Sequence, residues 1–481
     1  MTRSGQIEGQ LCDLEARVLG KINQKKVIFD ENEIVCPGET VLARIVGTKK
    51  SKTGAIRLSG KVIKKLSPQP KLILGIYQEG HISDVIIPIE KKERFQIDVQ
   101  ENSIGASDGS LVEAQILTKK NNFRKSVKII RNLGTFADDV LPSVLTIHEH
   151  NLPTAFPIEI RQAAQKSARQ DISDLPNFQQ IPFITIDPEN ARDHDDAICA
   201  EYDTDEANLG GFILWVAIAD VARYVEAGSE LDKDALNRGN STYLPNYVIP
   251  MLPESLSNSA CSLIEGKDRA CIILKIRINS VGEKLSHNFA RGVIRNRFSI
   301  SYERAQSIIE NRATIQETSL EEKLVLSSYD AFKTLDLETK KRHPLDLEIQ
   351  ETELRFGSNG VIRSVATKSQ LGSHKLVEAF MILANVCAAE TLAREHKSFF
   401  YRVHERPSKA KYLDIKSLAK AVNYKLRGER ELSSADLNQI LRKSQIRNRK
   451  RFVSMQILRS LSQAEYNTQN IGHFGLNLPI Y

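Results

Sequence analysis

Four aspartates crowd into ten positions of this 481-residue chain, directly behind an apolar run: ITIDPENARDHDDA, residues 184–197, holds Asp187, Asp193, Asp195 and Asp196. Carboxylates that close repel one another, so a fold that gathers them must keep them solvated or supply a cation. In an extended segment Asp193 and Asp195 share a face, and the turn at Pro188–Asn190 can fold Asp187 back beside them. An all-oxygen donor set that leaves positions for water and phosphate suits Mg2+, with Mn2+ as the alternative. Two such ions in one site can activate a water and stabilise the leaving oxygen in phosphodiester hydrolysis. A calcium loop is excluded, because no glycine stands where the D-x-[DN]-x-[DN]-G frame requires it. A solvated acidic turn is the competing reading.

Other chemistries lack their signatures. There is no G-x-S-x-G elbow and no H-E-x-x-H, and GAIRLSGK (residues 54–61) has one spacer too many for a phosphate loop. The six cysteines lie far apart with no CxxC pair, which excludes a zinc ribbon and argues for reduced thiols and a cytoplasmic protein. No uninterrupted apolar stretch approaches a membrane span. His404, in YRVHERPS, has a core or backbone role as its default. The net charge of +7 permits a polyanionic partner without demanding one. RKSQIRNRKR (442–451) and the cluster Lys119, Lys120, Arg124, Lys125 and Lys128 around Phe123 are either solvated faces or phosphate tracks.

The first 135 residues read as short β-runs broken by turn formers. GETVLARI (38–45) and GSLVEAQI (109–116) share Gly, Val, Ala and Ile at the same four places, and a basic β-run follows each. An offset of about seventy residues suits one small β-barrel per copy, hence two tandem barrels of the oligonucleotide-binding (OB) type; two unrelated β-units are the alternative. Tyr77, Phe95 and Phe123 are candidate stacking platforms or core residues. We divide the chain into a first barrel at 1–66, a second at 67–135, a helical connector at 136–178 and a mixed α/β domain at 179–481. HKLVEAFMILANVCAAETLAREH, apolar nearly all round, predicts a buried central helix.

Six blocks now stand in order: ARDHDDA, VAIADVARYV, NSTYLPNYVIPMLPESLSNSACSL, HKLVEAFMILANVCAAETL, YRVHERPS and GHFGLNLPIY. Their succession over about 180–481 resembles the catalytic (RNB) domain of the RNase II/RNase R family, closer to the bacterial ribonuclease R branch, and the β-barrels resemble that family's cold-shock-type domains. The resemblance implies a monomeric, Mg2+-dependent, processive hydrolytic 3′→5′ exoribonuclease that acts on single-stranded RNA, releases nucleoside 5′-monophosphates and has the RNA-degradation machinery as a partner. It implies that Asp187, Asp193, Asp195 and Asp196 are the catalytic, metal-holding set. It places Tyr243 (STYLP) as the platform for the 3′-terminal nucleotide, Tyr302 (SYERA) at the active centre and Glu378 near the last nucleotide.

The chain departs from the family pattern at Leu347, where some members carry a phenylalanine clamp. The sequence ends at Tyr481, ahead of the block from which the family draws an arginine for the scissile phosphate, and ahead of a C-terminal RNA-binding barrel. The catalytic domain is therefore expected to be incomplete at its C-terminus. A truncated, weak or inactive RNA-binding remnant is the alternative function.

Overall fold

The computed structural model describes residues 6–481 except 15–16, 23–24, 30–39, 51–55, 66–71, 81–82, 90–95, 103, 118–125, 136–140, 151, 245–246, 313–317, 348–350, 357–361, 369, 427, 429–431 and 446–449, with side chains from residue 72 onward except at 135, 141–142, 144, 148, 351–356, 362, 366–368 and 445. Two compact units emerge, Met1–Asn151 and Leu152–Tyr481.

In the first unit, β1 (Gln6–Leu14), β2 (Arg17–Ile22), β3 (Lys25–Phe29), β4 (Thr40–Lys50) and β5 (Ile56–Lys65) close into a barrel of order β1-β2-β3-β5-β4. Its one parallel pairing joins β3 to β5. Then β6 (Leu72–Gln78), β7 (Val85–Pro88), β8 (Ile97–Glu101), β9 (Ser110–Leu117) and β10 (Ser126–Thr135) close in the same cyclic order, with β8 and β10 parallel. The two copies of the sequence repeat fall on β4 and β9, the fourth strand of each ring. Gly109 enters β9 at φ 78°, a conformation that a side chain would strain.

Ile73, Ile86, Val112, Val127 and Ile129 fill the second ring. Tyr77 belongs with them: it is 3% exposed and its hydroxyl donates to Asp84 at 2.6 Å, so it packs the core and offers no stacking platform. Phe95, Phe123 and the basic residues at 119–125 lie outside the described residues. Lys128 pairs with Glu101 at 2.7 Å. Helix α1 (Leu141–Glu149) closes the unit, Leu145 packing on Leu74 and Leu111.

The second unit begins with α2 (Ile158–Ser167), β11 (Ile184–Asp187), β12 (Asp196–Tyr202), β13 (Phe212–Ala219), α3 (Val221–Tyr224) and α4 (Glu230–Arg238). A small hairpin, β14 (Thr242–Leu244) and β15 (Tyr247–Ile249), precedes β16 (Asp268–Ile278), β17 (Lys284–Arg295) and β18 (Phe298–Ser301). Next come α5 (Tyr302–Glu310), α6 (Leu320–Arg342), the pair β19 (Glu351–Phe356) and β20 (Ile362–Lys368), and α7 (Gly372–Arg394). The remainder is β21 (Tyr401–Val403), α8 (Lys409–Ala421), α9 (Ser434–Gln445), α10 (Lys450–Ser460) and β22 (Glu465–Asn467).

Six strands form one sheet, β17-β16-β13-β12-β11-β18. The run FILWVAIA becomes interior strand β13, where an unbroken apolar sequence is at home because neighbours cover it on both edges and both faces. Helices α5, α6 and α7 bury Ile308, Val325, Leu376 and Phe380 in the same core as Phe183, Leu214 and Ile273. The serines 301 and 319 cap α5 and α6, the latter through a full capping box with Glu322.

Helix α7 departs from the expectation of burial all round. Leu376, Phe380 and Cys387 are fully buried, but Lys375, Glu378 and Asn385 face solvent. By length and mean hydropathy alone α7 could cross a membrane, but charged residues interrupt it and its buried stripe is part of the core. Helices α8, α9 and α10 build a smaller core of Ile415, Leu437, Ile440 and Ile457, and Leu347 packs against it. Of the basic run, Lys443 donates to the carbonyl of Asn423 at 2.9 Å, Arg442 and Arg451 are exposed, and residues 446–449 lie outside the described residues.

His404 proves to be a backbone fastener. Its Nε2–H donates to Ser462 O at 2.9 Å, and its Nδ1 accepts from the Gly475 N–H at 3.1 Å. His473 stands 5.1 Å away, ring to ring, and its Nδ1 accepts from the Leu476 N–H at 3.1 Å. Burial first, and then the neighbouring His404, hold the His473 imidazolium down to about 4. An unfolded histidine titrates near 6.5, so as pH falls the unfolded chain takes up this proton first. The contribution is complete above about pH 6.5 and is lost progressively down to about pH 4. We predict that urea unfolding at stepped pH shows a loss on the order of 2 kcal/mol from this group over that window, and that His473→Gln flattens that part of the profile.

Candidate active site

The aspartates gather because of strand pairing. Parallel pairing of β11 with β18 sets Asp187 opposite Ser301, so Asp187 ends its strand beside the first residue of α5, Tyr302. Antiparallel β11 and β12 pair at Ile184 and Ile198, and the connecting loop starts and ends at that same end of the sheet. Asp196 opens β12 opposite Ile218 of β13, and the Ala219 N–H donates to Asp195 O at 2.9 Å.

The electrostatics record this crowding. Burial, then the charges of Asp187 and Asp195, push the Asp196 carboxyl up to about 6. Asp195 keeps an exposed edge, and the protein packed behind it, followed by Asp193 and Asp187, raises its carboxyl as well. His194 Nδ1–H donates to Asp187 at 2.7 Å, which raises the imidazolium above its ordinary range. The Tyr243 hydroxyl, on β14, donates to Asp193 at 2.6 Å, and that bond leads the causes that push the phenol up to about 12. The Tyr243 ring is 64% exposed, so it presents a face to solvent while its hydroxyl grips the cluster.

Tyr302 is half-buried, and burial with the charges of Asp187 and Asp196 raises its phenol to about 12. Its ring stacks on His374 at 4.0 Å and 17°. Glu378 lies one turn further along α7, on the face that His374 occupies. It is exposed, although its neighbours on α7 are mostly apolar, and accepts from Gln370 Nε2 at 3.0 Å. The structure thus joins Asp187, Asp195, Asp196 and Tyr302 electrostatically, ties Asp193 to Tyr243, and sets Glu378 beyond the His374–Tyr302 stack.

Three supporting residues escaped the sequence reading. His194 was visible only as a spacer between aspartates. Ser262, fully buried, bonds the backbone of Arg192 and His194. Asn296 Nδ2 reaches Leu263 O at 2.8 Å, Ser299 Oγ at 3.1 Å and Thr185 Oγ1 at 3.4 Å, bracing β11 and β18 behind the site. No spacing links these serine and asparagine positions to the aspartates; Ser262 stands inside the block NSTYLPNYVIPMLPESLSNSACSL, but nothing in that block ties its hydroxyl to the aspartate loop.

Residues 169–481 match the model of the RNB domain. The chain belongs to the RNB domain family. Among its relatives, ribonuclease R of Vibrio parahaemolyticus is 30% identical over 449 residues, covering 90% of this chain and 52% of the relative. Ribonuclease R of Thermotoga maritima is 31% identical over 485 residues, covering 99% of this chain and 66% of the relative. The chain therefore spans about half to two-thirds of the length of these relatives. The solved structure of Mycoplasma genitalium RNase R in complex with ribose methylated single-stranded RNA superposes with a TM-score of 0.75 at 21% identity, covering 99% of this chain and 76% of that one. At that identity the likeness speaks for the fold.

Within the RNB domain, Asn296 is 1% exposed, and its truncation strands buried acceptors. Asn296→Ala is predicted to lower stability by about 1–3 kcal/mol, read as a shifted urea midpoint with unchanged slope.

Proposed function

We propose that this chain is a hydrolytic exoribonuclease that degrades single-stranded RNA processively from the 3′ end to nucleoside 5′-monophosphates. The observation that carries the reading is the convergence of four aspartates at one end of the sheet, with the Asp196 carboxyl raised to about 6 by burial and its neighbours. Membership of the RNB domain family supports it, as do the ribonuclease R relatives and the RNA-bound Mycoplasma structure.

Among the described residues no three His, Cys, Asp or Glu side chains are grouped tightly enough to hold an ion as they stand. The donor chemistry nevertheless fits Mg2+, with Mn2+ as the alternative: every candidate is a hard carboxylate, and their uncompensated repulsion is what a divalent cation relieves. Asp187, Asp193, Asp195 and Asp196 would hold it, and when bound it would supply Lewis acidity toward the phosphate and an acidified water. The residues themselves do the positioning. Tyr243 offers its exposed ring to the terminal base, a sequence-tolerant contact suited to digesting any RNA. Tyr302, stacked on His374, and Glu378, one turn along α7 from His374, are the other residues that would meet the RNA end.

Both five-stranded rings share one order and one parallel pair. That topology supports reading 1–66 and 67–135 as tandem OB or cold-shock-type barrels that bind single-stranded RNA, ahead of a connector at 136–178 and a catalytic domain at 179–481. Buried free thiols at Cys199, Cys261, Cys271 and Cys387 suit a cytoplasmic protein. We read the chain as a monomer that works alongside the RNA-degradation machinery.

The test is a time course on 5′-labelled single-stranded RNA with Mg2+. We expect a short limit product, abolished by EDTA and reduced about 10²-fold or more by Asp196→Asn. Intact RNA with a mobility shift would instead identify an RNA-binding remnant. Tyr243→Ala should raise KM roughly tenfold, the loss of about one stacked base.

A further inference from the structure

The loop that carries Asp193 has no secondary structure of its own from Pro188 to Asp195. Backbone amides and carbonyls in such a segment need partners if it is to hold one shape. The partners come from a segment about seventy residues away. Ser262 is 0% exposed; its hydroxyl donates to Arg192 O at 2.8 Å and accepts from the His194 N–H at 3.1 Å. The next residue, Leu263, donates its N–H to His194 O at 2.9 Å. The two peptides that flank Asp193 are therefore both held by one hydroxyl, which only a group that donates and accepts at once can do.

This anchor is itself fixed. Arg269 Nε donates to Ser262 O at 2.7 Å, and Asn296 Nδ2 donates to Leu263 O at 2.8 Å. Beyond the clamp, the Ala219 N–H secures Asp195 O at 2.9 Å. The Asp193 carboxylate, by contrast, accepts from the exposed Tyr243. The loop's geometry thus rests on buried bonds to its backbone.

We propose that Ser262 is a positioning residue, which fixes the Arg192–His194 backbone so that Asp193 and Asp195 converge on one divalent cation. The inference rests on reading the aspartates as a cation site. Ser262 acts through the loop and touches no reacting atom. Outer contacts that orient metal-holding side chains commonly govern affinity by about 10–100-fold.

The experiment is Mn2+ titration of the full chain, by electron paramagnetic resonance of the free ion, for the parent, Ser262→Ala and Ser262→Cys. Cysteine keeps the size of the side chain and is a weak hydrogen-bonding substitute, so it guards against an unfolded alanine variant. Each protein is titrated well below its own unfolding midpoint, and RNA affinity is measured in EDTA. We expect Mn2+ affinity to fall at least tenfold in the alanine variant and by less in the cysteine variant, with metal-free RNA binding within twofold of the parent. Unchanged Mn2+ affinity in both variants would overturn the proposal, as would a parent chain that binds no Mn2+, or a loss of RNA affinity in step with Mn2+ affinity. A parent that binds Mn2+ but cuts no RNA would sink the exoribonuclease reading while the comparison of variants still decides the clamp.

Discussion

Mutual repulsion among carboxylates is the constraint around which the RNB domain of this chain is organised. Burial first, and then the charges of neighbouring aspartates, raise the Asp195 and Asp196 carboxyls above their ordinary range. A loop free to relax would spread such charges into solvent. The fold prevents this by bonding the backbone rather than the side chains: Ala219 secures Asp195, Leu263 secures His194, and Ser262 secures both sides of Asp193. The carboxylates are left with few protein partners, His194 on Asp187 and Tyr243 on Asp193. That is the state in which a cation gains most by binding.

The rest of the unit supports that arrangement. An unbroken apolar strand, β13, gives β12 a rigid neighbour, so Asp196 starts from a fixed register. The parallel pairing of β11 and β18 delivers Tyr302 to Asp187 across more than a hundred residues, and the Ser301 cap turns the chain from strand into helix at that point. Asn296 and Thr185 brace the same pairing from behind. Local capping, sheet register and buried polar bonds thus agree on one geometry, which is how a strained charge cluster is held without being buried outright.

Much of this was legible in particular residues. The aspartate spacing marked a crowded acidic cluster, and the six ordered blocks pointed to the family that residues 169–481 match. The GETVLARI and GSLVEAQI repeat suggested one small β-unit per copy, and the two copies fall on β4 and β9. Elsewhere local pattern left the outcome to the fold. Tyr77 reads as platform or core in sequence and is sealed into the second ring, and α7, apolar nearly all round, turns Lys375, Glu378 and Asn385 to solvent. Composition records how oily a segment is, and burial depends on what lies opposite.

The sequence by itself determined the charge cluster: four carboxylates fall within ten positions, and strand and helix periodicity set the elements that carry them. Only the tertiary structure decided which distant groups shape the site. Ser262, Asn296 and His374 are ordinary residues whose roles come from hydrogen bonds and ring contacts spanning roughly seventy or more positions. Such bonds leave no periodic trace, because a hydroxyl or an amide acquires its function from the backbone groups that folding places within about 3 Å of it.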